Sequence, residues 1–216
     1  MSVSNFLSKV FLWMFIGLMV TFATGVVVSN NVSALEFIFS DGGYWFLVIA
    51  EFITVIVLSA RMQKMSPTGA KFGFILYSFL TGLTFSAIFV VYNISSIIAV
   101  FLITSVIMLI FAILGAKTNI DLSKFGTYLL MALVGIIIAG IINIFAKSGT
   151  FDLVLCSISI LIFIGYIAYD VQKVKRIYEQ NPSADNLAIY GALNLYLDFI
   201  NIFLDLLRLF GSSSND

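Results

Sequence analysis

One long uncharged stretch constrains the fold of this chain more than any other feature. Residues 72–116 contain no Asp, Glu, Lys or Arg over 45 positions. As one straight helix the stretch would be roughly 68 Å long, whereas the hydrocarbon core of a bilayer is about 30 Å thick. The chain must therefore fold back once, and Asn93 is the predicted turn. Two membrane-spanning helices follow, 72–92 and 94–116.

Composition extends this interpretation to the rest of the chain. Of its 216 residues 61% are hydrophobic and 10% are charged, whereas soluble domains carry about 25% charged residues. Five further apolar runs approach the roughly 20 residues that a transmembrane helix needs. These runs are 10–28, 44–60, 125–146, 153–169 and 187–210. Because they are continuously apolar, they exclude a membrane β-barrel. We predict one all-α integral membrane domain over residues 1–216, a bundle of seven transmembrane helices.

Lys and Arg in short loops predict the orientation, because they stay on the cytoplasmic side. With the N-terminus inside, Lys147 and Arg208 fall on the outer side. The other nine of the eleven cationic residues fall inside: Lys9, Arg61, Lys64, Lys71, Lys117, Lys124, Lys173, Lys175 and Arg176. We therefore expect a cytoplasmic N-terminus. The short loops favour a bacterial plasma membrane.

Charge and residue usage exclude several functions. Eleven Lys and Arg balance eleven Asp and Glu, so the chain lacks the cationic excess that nucleic-acid binding requires. There is no His and one Cys, which excludes His/Cys metal sites and His-activated nucleophiles. No Gly-rich phosphate-binding loop is present. We expect neither an enzyme nor a resident cofactor.

The last apolar run carries a polar stripe. Its six members are spaced three or four residues apart and share a helical arc of about 80°. They are Tyr190, Asn194, Asp198, Asn201, Asp205 and Arg208. A carboxylate inside a bilayer costs at least about 2.5–3.5 kcal/mol, so this stripe should face the bundle interior or water. We predict that the last helix is central, with Tyr190, Asn194, Asn201 and Asp205 as pore-lining candidates. Hydrogen bonds between helices, or an Asp205–Arg208 pair, are the alternatives.

Depth along the helices pairs further charges. Glu51 lies roughly 10 Å below the outer membrane edge, level with the outer end of the last helix. An outer cluster of Glu51, Arg208 and Asp205 is the expectation. On the inner side, Arg61 ends the second span and Asp170 ends the sixth, so these two can meet. The alternative for Arg61 and Asp170 is an ordinary interfacial pair or loop charges.

Two C-terminal motifs resemble a known family. They are GYIAYDVQ at 165–172 and ALNLYLDFINIF at 192–203, joined by a polar connection from Asp170 to Asn186. Together with the number and length of the spans, they resemble the transmembrane Bax inhibitor motif family. The resemblance implies a seven-helix fold with the last helix at the centre. In bacterial members it implies a pH-sensitive calcium leak.

The resemblance also implies roles for individual residues. Asp170 and Asp198 match the family's paired aspartates, and Arg61 matches their arginine partner. Glu51 and Arg208 match an outer latch. Counting from Leu187 places Asp198 about 16 Å inside the inner edge, too deep to touch Asp170 at the end of the sixth span. We therefore expect the last helix to begin in the cytoplasm, before it enters the membrane, because residues 186–191 are only mildly apolar. Asp205 departs from the family pattern and is expected to change ion affinity.

The chemistry of these residues suits calcium and protons. Calcium takes oxygen ligands, which Asp, Asn and Tyr side chains supply. Our hypothesis is that Asp170 and Asp198, held by Arg61, close the inner end when they share one proton. Loss of that proton would release the pair and create an anionic calcium site.

Other function classes remain open. One is a non-conducting regulator that binds and inhibits a membrane-bound protease or another membrane complex, a role that would survive Asp198→Asn. Another is a proton-coupled transporter, although such proteins typically show repeats and discontinuous helices. An intramembrane hydrolase is the least favoured, since the two aspartates lack the usual Gly-rich protease motif.

Overall fold

The computed structural model describes residues 2–182 and 186–212, and in these ranges it contains helices and no strand. Its eight helices are α1 (Val3–Ser29), α2 (Val32–Ile38), α3 (Asp41–Arg61), α4 (Pro67–Val91), α5 (Ile94–Lys117), α6 (Ser123–Ala146), α7 (Gly149–Gln180) and α8 (Leu187–Phe210). A 3-10 turn, Met62–Lys64, follows α3. All helices except the short α2 are long and apolar enough to cross a membrane, which gives seven spans. The predicted fold class is confirmed.

Local sequence signals explain where several helices begin. Ser2, Asn31, Ser40 and Ser66 precede α1 to α4, and the side-chain oxygen of each accepts a hydrogen bond from the backbone N–H three residues later. These bonds satisfy N–H groups that the first helical turn leaves without partners. Between α4 and α5 the helices break at Tyr92 and Asn93, as the long uncharged stretch predicts.

Helix α7 is longer than predicted. It was expected to end at residue 169, but it continues to Gln180. Val171, Val174 and Tyr178 are buried at helical spacing along this extension, so its apolar face is packed while its polar face carries the charges. The polar connection is shorter than the 170–186 segment expected.

Because α7 extends beyond Asp170, Asp170 and Asp198 can lie at the same depth in the membrane. Helix α8 begins at Leu187, where the predicted span 187–210 begins, and its start in the cytoplasm stays a prediction. Asp170 precedes the end of α7 by ten residues, and Asp198 follows Leu187 by eleven. At 1.5 Å per residue, Asp170 lies about 15 Å from the C-terminal end of α7, and Asp198 lies about 17 Å from the N-terminal end of α8. The two aspartates are therefore at similar distances from the α7–α8 connection.

Helix α8 is the most enclosed of the spanning helices. In its most apolar segment 78% of the residues are buried, against 39% or less in the others. Helix α6 is the opposite extreme, since none of its corresponding segment is buried. The burial of α8 agrees with the predicted central position of the last helix.

The described residues pack as two compact units. The first unit contains residues 2–94 and the described part of 177–196, and the second contains 95–176 and 197–212. In the first unit α1 packs along α4, and a Cβ at Gly17 would lie 2.5 Å from the Phe74 ring. In the second unit α5 approaches α7 at Gly115, where a Cβ would lie 2.7 Å from the Ala168 Cα atom. That the chain forms one domain stays a prediction.

Candidate functional site

Two buried carboxyl groups lie together in the second unit. Asp170 on α7 is 7% exposed and Asp198 on α8 is 3% exposed. They are close enough for their charges to interact directly. Tyr166, one helical turn before Asp170, lies within electrostatic reach of both. The structure therefore brings together the two aspartates that the family resemblance pairs.

A lysine accompanies this pair. Lys173 Nζ lies 3.8 Å from Asp170 Oδ1, one turn along α7, and 5.5 Å from the centre of the Tyr169 ring. Lys173 was expected only as a cytoplasmic loop charge. The i, i+3 spacing from Asp170 would have indicated the contact once the helix was known to continue.

The two carboxylates differ in their hydrogen bonds. Among the described residues, Asp198 Oδ2 is the buried side-chain polar atom that has no hydrogen-bond partner. A buried carboxylate oxygen without a donor is costly, because it has lost water and gained nothing in exchange. Asp198 is therefore poised to take up a proton or a cation.

The two aspartates alone would complete only part of the coordination shell of a calcium ion. The described residues contain no group of three or more Asp, Glu, Cys or His side chains that could hold a metal ion. Calcium takes six to eight oxygen ligands. Asp170 and Asp198 supply at most four, so an ion at this pair would keep part of its water.

Arg61 lies in the first unit at the end of α3. Its side chain is exposed and, with Ala60, Lys64 and Met65, lines a cavity of about 530 Å³. The predicted pairing of Arg61 with Asp170 stays a prediction.

Asn186, just before α8, fastens the start of that helix to the turn after α3. Asn186 is buried, and its Nδ2 atom donates to the carbonyl oxygens of Met62 (2.8 Å), Gln63 (2.8 Å) and Met65 (3.0 Å). Asn186 was predicted only as the boundary of the last helix. Its position just before an apolar run was the available signal.

Arg208 has partners on α7 in the second unit. Its Nη1 atom lies 3.6 Å from Asp152 Oδ1 and 3.5 Å from Cys156 Sγ. Asp205, one turn earlier on α8, hydrogen-bonds with Cys156 and Ser159. Asp152, Cys156 and Ser159 recur at helical spacing, but nothing in the sequence indicates that this face of α7 meets Arg208.

Glu51, the other predicted latch residue, is half-buried in the first unit. Its Oε1 atom accepts a hydrogen bond of 3.0 Å from Thr84 Oγ1 on α4. The latch between Glu51 and Arg208 stays a prediction.

The polar stripe of α8 follows its less buried face. Tyr190 and Asp198 are buried, but Asn194, Asn201 and Asp205 are only half-buried, and Arg208 is exposed. The Asn201 side chain donates from Nδ2 to the carbonyl oxygen one turn earlier, at 2.7 Å, so this bond is within α8 and not between helices. Half-buried polar side chains are thus present along this face of α8.

Comparison with known proteins places the chain in a family. The family described as "Inhibitor of apoptosis-promoting Bax1" matches residues 3–215. The inner membrane protein YbhL of Escherichia coli K12 is 41% identical over 214 residues, covering 96% of this chain and 92% of YbhL. A Borreliella burgdorferi protein is 38% identical over 218 residues, covering 99% and 94% of the two chains. A Streptococcus pyogenes membrane protein is 39% identical over 170 residues, 78% of this chain and 74% of its own. Seven spanning helices and full-length similarity lead to one conclusion: this chain is an integral membrane protein of the Bax inhibitor family.

Proposed function

We propose that this protein is a pH-sensitive, calcium-permeable leak channel gated by Asp170 and Asp198. One observation carries the proposal: Asp198 is buried beside Asp170, and its Oδ2 atom has no hydrogen-bond partner. Two carboxylates in low-dielectric surroundings repel each other, and a shared proton or a bound cation relieves that repulsion. The site therefore suits competition between protons and cations.

In the proposed closed state, the pair shares one proton and carries a single negative charge. Lys173, 3.8 Å from Asp170, offsets that charge, and Arg61 is proposed as the second cation. Loss of the proton leaves two negative charges that separate, and a partly hydrated calcium ion takes the proton's place. Because the two side chains offer at most four oxygen atoms, the ion binds weakly enough to leave.

The proposed path follows the polar face of α8 on both sides of Asp198. Asn194, Asn201 and Asp205 present half-buried polar groups on one face of this helix. Calcium and protons are then the ions that the protein exchanges with its surroundings, and the ion gradient supplies the driving force. We place the N-terminus in the cytoplasm, as the Lys and Arg distribution favours.

Calcium flux into dye-loaded liposomes tests the proposal at pH 6 to 8. We expect wild-type flux to rise with pH, because loss of the shared proton opens the gate. Asp198→Asn keeps the size of the side chain but cannot lose a proton, so flux should no longer depend on pH. Asp121→Asn is the matched control, since Asp121 is exposed in the α5–α6 loop, and it should retain the wild-type pH dependence.

Two results would count against the proposal. Unchanged pH dependence in Asp198→Asn would remove the aspartate pair as the gate. Flux no greater than in empty liposomes at every pH, with helical content and monodispersity intact, would reject the channel. The alternative would then be a non-conducting regulator of a membrane-bound protease or another membrane complex, whose activity depends on loops and termini.

A further inference from the structure

A groove of about 230 Å³ lies between α5, α6 and α7 in the second unit. Residues from all three helices and from the loop between α5 and α6 contribute to its wall. They include Phe111, Leu122, Phe125, Leu129, Ile164 and Tyr169. Phe125 is exposed and the others are partly exposed, so the groove opens on the surface of the unit. We call it the α6 groove.

Small residues on α7 leave the space that forms the α6 groove. Gly165 and Ala168 lie one helical turn apart, and both line the groove. A Cβ at Gly165 would lie 2.9 Å from Leu129 Cδ2, so a larger side chain there would enter this space. None of the residues of α6 is buried. The groove therefore runs beside the spanning helix that is most exposed to its surroundings.

The lining of the α6 groove suits hydrocarbon. Apart from the Tyr169 hydroxyl, the side chains that line it are apolar. Its volume is below the roughly 300–1,000 Å³ of pockets that enclose drug-sized ligands. Around a membrane-spanning helix, the hydrocarbon at hand is a lipid acyl chain, which is narrow and flexible. The groove thus has the size and polarity for one acyl chain.

Positive charge is concentrated at one end of the α6 groove. Residues 116–124 and 170–176 carry five Lys or Arg and two Asp, an excess of three positive charges. These two segments lie at the same level, since Lys175 Nζ donates to the Ala116 carbonyl oxygen at 3.1 Å. Toward the other end of α6 and α7 and the end of α8, two cations and two carboxylates balance. They are Lys147, Arg208, Asp152 and Asp205.

Three of the five cations flank this end of the groove. Lys124 directly precedes Phe125, which lines the groove. Lys173 Nζ lies 5.5 Å from the centre of the Tyr169 ring, which lines it from α7. Lys117 is the last residue of α5, and it is exposed, as Lys124 is. The apolar groove therefore ends among cationic side chains from three helices.

We propose that the α6 groove binds an anionic phospholipid, with one acyl chain along the apolar lining and the phosphate group among Lys117, Lys124 and Lys173. Basic sites between transmembrane helices on the cytoplasmic side attract anionic headgroups, and we place this end in the cytoplasm. Cytoplasmic Lys residues also set topology, but that role requires no apolar groove beside them. The lipid site uses neither calcium nor the proton of the aspartate pair.

Native mass spectrometry of the detergent-purified protein tests the headgroup contacts. Dioleoyl phosphatidylglycerol and dioleoyl phosphatidylcholine have the same chains and differ in headgroup charge. We expect the first to bind more tightly, and Lys124→Gln to weaken its binding about fivefold, equivalent to about 1 kcal/mol for one lysine at a membrane surface. Lys9→Gln is the matched control, since Lys9 is an exposed lysine of α1 in the first unit, and it should keep the wild-type affinity.

Leu129→Trp tests the placement of the acyl chain, because a larger side chain fills the groove. We expect it to weaken the binding of dioleoyl phosphatidylglycerol. Leu130→Trp is the matched control, since Leu130 is the next residue of α6 and is 55% exposed. It should bind the lipid as the wild type does. Glycerol 3-phosphate, a headgroup without chains, should not displace the lipid.

Several results would overturn the inference. Equal wild-type affinity for the two lipids would exclude a site for anionic headgroups, and this comparison needs no substitution that might prevent folding. Equal weakening by Lys9→Gln and Lys124→Gln would indicate general surface attraction. Unchanged lipid binding in Leu129→Trp would remove the chain from the groove, and displacement by glycerol 3-phosphate would show a site for free phosphate.

The same spectra distinguish another occupant of the groove. A dimer that persists without lipid and dissociates in Leu129→Trp would identify a second copy of this chain in the groove, and the lipid proposal would be wrong. None of these measurements involves calcium flux. Absence of flux would reject the channel alone, and equal affinity for the two lipids would reject the lipid site alone.

Discussion

Asp121 is an exposed carboxylate whose titration is defined by contacts outside the membrane-spanning helices. Its Oδ1 atom accepts a hydrogen bond of 3.0 Å from the Ser123 backbone N–H and lies 2.6 Å from Arg176 Nη1. These interactions, the Ser123 backbone bond first, lower the pKa of Asp121 to about 2. A carboxylate with a lowered pKa adds stability above its unfolded pKa of about 3.9, and the contribution is lost as the pH falls through the folded value.

The lowered pKa of Asp121 predicts how the stability of Asp121→Asn, relative to wild type, depends on pH. Between pH 8 and pH 5 Asp121 is ionised in both the folded and unfolded states. We therefore expect the difference in melting temperature between wild type and variant to stay constant over this range and to shrink only below about pH 4. Thermal melts of both proteins in detergent, recorded at a series of pH values, measure this difference in melting temperature. A difference that changes between pH 6 and 8 would mean that Asp121 titrates where the proposed gate does, and would disqualify it as a control.

At the scale of helices, α7 is fastened to α5 and to the loop after it, close to Asp170. Gln172 accepts from the Leu122 backbone N–H at 2.8 Å and donates to the Ile120 carbonyl at 2.9 Å. Lys175 Nζ donates to the Ala116 carbonyl oxygen at 3.1 Å. Gly115 lets the α5 backbone reach α7 directly. The segment of α7 that carries Asp170 is thus held by the second unit, and its position depends on this contact.

Gly115→Ala tests that contact. The added Cβ would overlap the carbonyl oxygen of Ala168, and backbone on both sides leaves no flexible group to give way. We expect a loss of about 1–3 kcal/mol of stability, the usual cost of overpacking. Gly140→Ala on α6 is the matched control, because nothing lies within 4 Å of its Cβ position. Thermal melts of the purified variants compare the two, and equal melting temperatures would show that α5 and α7 are not in close contact there.

At the scale of the whole molecule, the topology in the membrane is the property to test. Seven spanning helices put alternate connections on opposite sides. With a cytoplasmic N-terminus, the loop between α5 and α6 lies inside and the loop between α6 and α7 lies outside. The structure gives that outer loop a left-handed residue, Lys147, with φ of 50°.

Single cysteines introduced into a Cys156→Ser background measure this orientation. In intact bacterial cells, a thiol reagent that does not cross membranes should label Ser148→Cys. It should label Asn119→Cys only after the cells are opened. The opposite pattern would put the N-terminus outside and invert the direction of the proposed pH response. Labelling of both in intact cells would contradict seven alternating spans.

Local sequence patterns are sufficient to predict the features that depend on one segment of the chain. Within a bilayer a helix satisfies its own backbone hydrogen bonds, so an apolar run of sufficient length predicts a span without knowledge of its neighbours. The turn at Asn93, the seven spans and the polar stripe of α8 follow from such local patterns. The end of α7 does not follow from such a pattern, because the residues after Asp170 are polar and resemble a loop, although Val171, Val174 and Tyr178 recur at helical spacing.

Which side chains meet depends on how the helices pack against one another. Arg208 lies against Asp152, 56 positions away, and Tyr196 against Thr21, 175 positions away. Such pairs depend on how each helix is rotated and how closely it approaches its neighbour, which small residues such as Gly17 and Gly115 control. Depth along a helix can be counted from the sequence, but rotation about its axis toward a particular partner cannot. The aspartate pair was therefore expected from a family resemblance, whereas the contact between Thr21 and Tyr196 required the packed helices.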